Sequence, residues 1–274
     1  MRSKFFAVAT VLLAFSSGNA LAQNAAPQPF ILGVVEQLHS THLGEDRILN
    51  IALPQGYHPD SAARYPVVYL LDGGADEDFI HISGLMQFAA FEWIAWQQPS
   101  IVVGIANVDR KRDLTFPTTI AADKEKFPTT GGSAAFMQYL AHEVVPFVEA
   151  KYRTAPRRTL IGQSLGGLFA TEVLLRMPHL FNHYLIVSPS LWWDGGSLLN
   201  VPPAFLSDPA IAPQQVFIAV GHEGKVMING AKKLAALVKK NTNTRVGFNL
   251  LKDHDHANIL HRAVLDGLRW MGGK

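Results

Sequence analysis

The chain has no cysteine among its 274 residues. That excludes a thiol nucleophile, a disulfide framework and any zinc site built on cysteine. Charge is also scarce, at 17% Asp, Glu, Lys and Arg, while 48% of the residues are hydrophobic. A chain so apolar is not a disordered one. No uninterrupted apolar stretch reaches the ~20 residues that a membrane-spanning helix needs. The longest, Phe5–Phe15, is broken only by Thr10.

What surrounds that stretch identifies it. Arg2 and Lys4 precede it, and Ala20-Leu21-Ala22 follows a short polar segment. Basic residues, an apolar run and a small-residue cleavage site, in that order, are expected of a secretory signal over residues 1–22. Residues 23–29 read as a flexible lead-in and 30–274 as the folded domain, in a protein that is periplasmic or secreted. Losing Arg2 and Lys4 lowers Lys plus Arg from 24 to 22, equal to Asp plus Glu at 22. A neutral chain offers no electrostatic reason to bind nucleic acid or an anionic membrane. No membrane span is expected after cleavage.

The length suits one large domain with a full apolar core. Ile31–Leu38 and Arg47–Leu53 read as strands, joined as a hairpin through residues 39–46. Pro66–Leu71 and Ser100–Ala106 are short runs apolar on both faces, the pattern of central parallel strands. Further strands are predicted at Thr159–Ile161, Tyr184–Val187, Val216–Val220 and Arg245–Leu251. Helical spacing marks Ala134–Lys151, capped by Ser133 and with Pro146 either bending it or starting its second half, and then Leu165–Arg176, Met227–Lys240 and Ala257–Met271. Residues 107–130 read as a long loop. Strands alternating with helices predict an α/β fold: a mostly parallel central sheet flanked by helices, in a single domain. Chemistry then belongs at the carboxyl ends of the strands.

Gly162-Gln163-Ser164-Leu165-Gly166 fits the G-x-S-x-G elbow, in which a serine sits on a tight turn from strand to helix. Small neighbours two residues away are needed because their side chains would collide at the turn. The pattern alone is weak, since chance gives it in about one such chain in ten. Its context is right, with Arg158–Ile161 strand-like before it and a helical run after it. Ser164 is therefore the expected nucleophile, and the Leu165 N–H an expected oxyanion donor.

A serine hydroxyl needs a base, usually an imidazole oriented by a carboxylate. The loop after the last strand, Lys252-Asp253-His254-Asp255-His256, supplies His256, with His254 as its rival. His261 falls inside the last helix and reads as structural. The acid should follow the preceding strand, where Glu223 stands; Asp253 and Asp255 are alternatives, as is a Ser–His pair with no acid. Gly74, in the turn after Pro66–Leu71, is the expected second oxyanion donor, and Asp72 there pins the turn. Trp192 and Trp193 are candidates for a substrate wall, and Arg110 for contact with an anionic substrate. His254-Asp255-His256 lacks a third and fourth ligand at suitable spacing, so no metal is expected, and no cofactor. Lys232, Lys233, Lys239 and Lys240 read as a solvated helix face.

Three segments together resemble one family. Pro66–Gly74 (PVVYLLDGG), Ile101–Thr115 (IVVGIANVDRKRDLT) and Arg158–Trp193, with its SLGG elbow and downstream SPSLWW, are similar to the esterase D and enterochelin esterase group of α/β-hydrolases. The similarity runs from about Val34 to the C-terminus. It implies a serine esterase with Ser164 as nucleophile and His256 as base. Leu165 and the residue after Asp72-Gly73 would be the oxyanion donors, and Ser188–Trp193 would lie beside the site. Exported bacterial members include siderophore-ester hydrolases, which points to catecholate trilactone esters as substrate. A general acyl or feruloyl-type esterase, a thioesterase or an acyltransferase is the alternative. A binding protein with dead chemistry is a further one. Some periplasmic siderophore esterases use Ser and His alone, so the resemblance leaves the role of Glu223 open.

Overall fold

The computed structural model describes residues 27–273. The expected signal segment lies outside them, as does most of the lead-in; residues 27–29 are exposed and without regular structure. In chain order the strands are β1 (Val34–Ser40), β2 (Glu45–Ala52), β3 (Tyr65–Leu71), β4 (Ile101–Ile105), β5 (Thr154–Gln163), β6 (His183–Val187), β7 (Gln215–Gly221) and β8 (Arg245–Leu251). The helices are α1 (Phe79–Ala90), α2 (Arg110–Asp113), α3 (Ala121–Lys126), α4 (Ser133–Tyr139), α5 (Val145–Lys151), α6 (Leu165–Arg176), α7 (Ala204–Ser207), α8 (Gly224–Val238) and α9 (Ile259–Met271).

All eight strands form one sheet, in the order β1-β2-β4-β3-β5-β6-β7-β8. β1 and β2 are the antiparallel hairpin read from the sequence, and β2 joins β4 antiparallel. From β4 to β8 every neighbouring pair is parallel.

Strand β3 shows why the sheet needs helices on both sides. Val67, Tyr69 and Leu71 point into one apolar cluster, Val68 and Leu70 into the other. Alternation by two sends successive side chains to opposite faces, so a strand apolar throughout must be covered twice. The first cluster is roofed by α4, α5, α6 and α8 through residues such as Phe136, Val148, Phe169 and Leu234. The second is closed by α1 and α9 through Phe79, Ile82, Met86, Ile259 and Val264. Each such large side chain, fully buried, contributes roughly 1.5–3 kcal/mol.

Two expectations need correction, and one helix is absent from the sequence reading. Residues 107–130 are not one long loop, because α2 and α3 lie within them. Asp109 caps α2 by accepting from Arg112 N–H, and Asp113 at its end is drawn inward to the buried Arg47. Elements of four and six residues are too short to show a helical period. Helix α1 was passed over although Phe79, Ile82, Met86 and Ala89 form a clear buried stripe. Ser133 is the first residue of α4, with Gly132 in the cap position. The helix over 134–151 does restart at Pro146 as expected: a π turn at Leu140–Val144 interrupts it, and Pro146 stands second in α5. Proline has no N–H to give to the preceding turn, and the wider turn absorbs that loss.

Candidate active site

The elbow joins β5 to α6. Gln163 ends the strand, Leu165 opens the helix, and Ser164 between them holds φ 59° and ψ −118°. A non-glycine residue pays of order 1–3 kcal/mol for such a backbone, so its surroundings must enforce it. They do so with three hydrogen bonds. Ser164 N–H donates to Val187 O at 3.1 Å, and Ser164 O accepts from Leu168 N–H at 2.9 Å and Ser190 N–H at 3.0 Å. Gly162 is indispensable to the turn, since a Cβ there would lie 2.4 Å from the Gly166 carbonyl oxygen.

Two loops from the neighbouring strand ends meet the serine. His256, in the loop after β8, places Nε2 2.9 Å from Ser164 Oγ. Its other ring nitrogen, Nδ1, lies 2.5 Å from Glu223 Oε2. Glu223 follows β7 and its side chain is 4% exposed, against 45% for His256. Glu223 Oε1 accepts from Gly221 N–H at 3.0 Å and from the Ser188 hydroxyl. Burial opposes ionisation of this carboxyl, but the bonds from His256, Ser188 and Gly221 outweigh it and hold its pKa below the ordinary value. Gln163 Nε2 also donates to His256 O at 2.6 Å, fixing the backbone of the imidazole to the elbow. An alkoxide precursor, an imidazole and an ionised carboxylate thus stand in one hydrogen-bonded line, the arrangement that moves a proton off a serine.

The other candidates fall elsewhere. His254 is half-buried and its carbonyl accepts from His222 N–H at 2.7 Å, while its ring makes no contact with Ser164. Asp255 Oδ1 accepts from Ala257 and Asn258 N–H, which shapes the turn into α9. Asp253 is exposed. His261 pairs with His81 where the first turns of α9 and α1 meet.

Three expected site residues have partners within the protein. Arg110 grips Asp72 with two bonds, Nε to Oδ1 at 2.5 Å and Nη2 to Oδ2 at 2.9 Å, which ties it to the loop after β3. Trp193 is buried with 1% exposure and donates Nε1–H to Phe116 O at 2.9 Å, making it core. Gly74 N–H does not stand free for an oxyanion, because it donates to Glu77 Oε2 at 2.7 Å. Leu165 opens α6, and the first N–H groups of a helix have no acceptor within it. Trp192 does face the cleft, which has a volume of about 420 Å³ and is lined also by Ser164, Ser190, Glu223, Met227 and His256.

The sequence reading named neither Ser188 nor Ser190 individually. Ser188, at φ 41°, ends β6 and turns its hydroxyl to Glu223. Ser190 Oγ lies 3.4 Å from Ser164 Oγ. The only signal for either was membership of the SPSLWW segment. Among the described residues no helix is long and apolar enough to cross a membrane, and no group of three or more His, Asp or Glu is placed to hold a metal ion.

Comparison with known proteins adds the family. A family model described as "Putative esterase" matches residues 40–257. Ferri-bacillibactin esterase BesA of Bacillus subtilis is 28% identical over 251 residues, covering 82% of this chain and 85% of that protein. A siderophore triacetylfusarinine C esterase of Aspergillus fumigatus is 26% identical over 211 residues, 69% of this chain and 67% of the relative. Among solved structures, the BES protein from Bacillus cereus superposes with a TM-score of 0.78 at 26% identity, over 90% of this chain and 99% of the other. An IroE-like serine hydrolase from Shewanella oneidensis gives 0.75 at 29%, over 87% and 79%. The matched span runs from the end of β1 past His256, and on those grounds the chain belongs to this esterase family and is an esterase on an α/β-hydrolase fold.

Proposed function

We propose that the protein hydrolyses carboxylic esters through an acyl-enzyme on Ser164, and that its natural substrates are siderophore esters met in the periplasm or outside the cell. The line from Ser164 Oγ through His256 to Glu223, at 2.9 and 2.5 Å, carries the reading of the chemistry. Ser164 Oγ attacks the ester carbonyl carbon while its proton passes to His256 Nε2. The tetrahedral oxyanion meets the Leu165 N–H. The C–O bond to the alcohol breaks, and the proton on Nε2 leaves with that alcohol. Water then gives a proton to the same nitrogen, attacks the acyl-enzyme, and releases the acid with Ser164 restored. Glu223 keeps Nδ1 protonated throughout and faces the positive charge of the imidazolium.

The substrate half rests on relatives named as siderophore esterases, and the location on the leader-like residues 1–22. Purified protein is expected to label with a fluorophosphonate at Ser164 and to cleave p-nitrophenyl butyrate, with both lost in Ser164→Ala. Failure of both in the wild-type protein ends the esterase chemistry and leaves a binding protein. A trilactone siderophore, iron-free and iron-loaded, is expected to yield linear products by chromatography. Rapid butyrate cleavage without ring opening assigns the chain to general ester, thioester or acyl-transfer chemistry instead.

A further inference from the structure

A second, larger cavity of about 940 Å³ adjoins the cleft. The two share Trp192, and they meet along two stretches of chain. Ser190 lines the cleft and Leu191 the cavity; Met227 lines the cleft and Val226 the cavity. One wall is a stripe of α8 and the turn after it, in which Val226, Asn229, Lys233, Leu237 and Lys240 recur at helical spacing. Positions 233 and 240 are seven apart, two turns on the same face. All four lysines are exposed, as the sequence predicts; Lys233 and Lys240 line this cavity, and Lys232 and Lys239 do not.

The cavity has a consistent chemistry. Its lining holds two lysines and no carboxylate, whereas the adjoining cleft contains Glu223 and Asp255. Among the described residues neither Lys233 nor Lys240 forms an ion pair, so both cations await a counter-charge. The same lining includes the indole of Trp192, 37% exposed, and Val226, 66% exposed. The opposite wall is preset. Asp194, at φ 48°, accepts from Thr118 Oγ1, Thr119 N–H, Thr119 Oγ1 and Ser197 Oγ at 2.6–3.0 Å, which locks the loop that carries Gly195 and Gly196. A lining that combines an exposed indole, apolar side chains and two lysines without a carboxylate fits a flat ring bearing negative oxygens.

We propose that this cavity is a substrate subsite: a negatively charged aromatic arm of the ester held at Ser164 lies along Trp192, with its oxygens towards Lys233 and Lys240. The assignment rests on the siderophore reading above and specifies where such a substrate makes its anionic contacts. A trilactone with several catecholate arms spans both cavities, one carbonyl at the serine and another arm on the lysines.

Equilibrium binding tests it apart from catalysis. The probe is the iron-loaded tris-catecholate trilactone, a trianion, titrated into Ser164→Ala protein so that nothing is cleaved. Adding Lys233→Glu and Lys240→Glu is expected to raise Kd by about tenfold or more and to flatten its dependence on salt. Arginine at both positions is expected to restore affinity. Lys232→Glu with Lys239→Glu makes the same change in net charge on the same helix and is expected to leave Kd within about twofold. Equal effects of the two pairs, no effect of the first, or no binding by the Ser164→Ala protein overturns the subsite. Failure of the serine chemistry is read separately, from fluorophosphonate labelling and butyrate cleavage by the wild-type protein.

Discussion

Glutamate 223 gives the sharpest test, because two substitutions that look similar should rank in an unexpected order. In the proposed mechanism, the imidazolium formed when Ser164 gives up its proton faces the Glu223 carboxylate across 2.5 Å. Unit charges centred about 4 Å apart attract by ~4 kcal/mol at an effective dielectric constant near 20. His256 is 45% exposed, so solvent removes part of that. About 2–3 kcal/mol remains, which is ~30- to 150-fold in kcat for Glu223→Ala. Glutamine should do worse than alanine. Gly221 N–H can only donate, and it points at the Oε1 position, so the amide must set its carbonyl oxygen there. That leaves the amide N–H2 facing His256 Nδ1. The imidazole then carries its proton on Nε2, the atom that must receive one from Ser164. A loss on the order of 10³-fold or more is expected of Glu223→Gln. The assay is p-nitrophenyl butyrate turnover at neutral pH, with the rate of fluorophosphonate labelling as a second measure. A loss below about tenfold in the alanine variant, ~1.4 kcal/mol, would mean that Ser164 and His256 work without an acid. A glutamine variant more active than the alanine one would refute the hydrogen-bond assignment itself.

Ser188→Ala removes one of the donors that keep the Glu223 carboxyl acidic. A hydrogen bond to a charged group is worth about 1.5–3 kcal/mol. Activity that needs ionised Glu223 is therefore expected to fade at a higher pH on the acid side than in the wild type; an unmoved acid limb with reduced kcat would make Ser188 merely structural. Asp113→Ala strips the fully buried Arg47 of its 2.7 Å partner, although Glu45 remains at 2.8 Å. Breaking a buried pair costs about 3–5 kcal/mol. With the Glu45 pair and the bond to Ala106 O left, about 3 kcal/mol and a fall in Tm of roughly 6–12 °C are expected, and a change under 1 kcal/mol by denaturant melt would contradict it. Asp78 is pushed up to about 6, first by burial and then by Asp72 and Glu77. A carboxyl with a raised pKa costs the native state nothing while both states are protonated, and the cost grows as pH rises from its unfolded value to about 6. Asp78→Asn is thus expected to stabilise at pH 8 by on the order of 1 kcal/mol, after allowance for partial exposure, and to have no effect near pH 3; stabilisation at acid pH alone would reverse the sign.

What could be read from the sequence was what local chemistry dictates. Strands β3 and β4 are legible because each is a short run apolar on both faces, whereas only Thr159–Ile161 of the ten-residue β5 is, its first half being polar and less buried. The elbow was visible because its glycines answer a clash within a few residues of Ser164. Arg110, Trp193 and Gly74 were misplaced for the opposite reason. The partners that claim the first two lie far along the chain: Asp72 is 38 residues from Arg110, and Phe116 is 77 from Trp193. Gly74 is claimed by Glu77, only three residues on, yet nothing in that spacing says which way a glutamate will turn. The helix pattern shows that Lys233 and Lys240 share an exposed face, but not that the face borders a cavity beside Trp192.

The meeting of acid and base depends on strand register more than on either loop. β7 and β8 are parallel and remain paired up to Gly221 opposite Leu251. Glu223 follows two residues after the first and His256 five after the second, so both leave the same end of the sheet from adjacent strands. The loops are then tied directly, His222 N–H to His254 O at 2.7 Å. The closeness leaves no room for a side chain at 221, where a Cβ would fall 2.5 Å from that same His254 oxygen. Shifting β8 by one residue would exchange the faces of every side chain on it and move His256 by about 3.3 Å along the strand. A 2.9 Å contact with Ser164 does not survive such a displacement. The apolar residues that fix the register of the last two strands are therefore as much a condition of proton transfer as the carboxylate, although none of them touches a reacting atom.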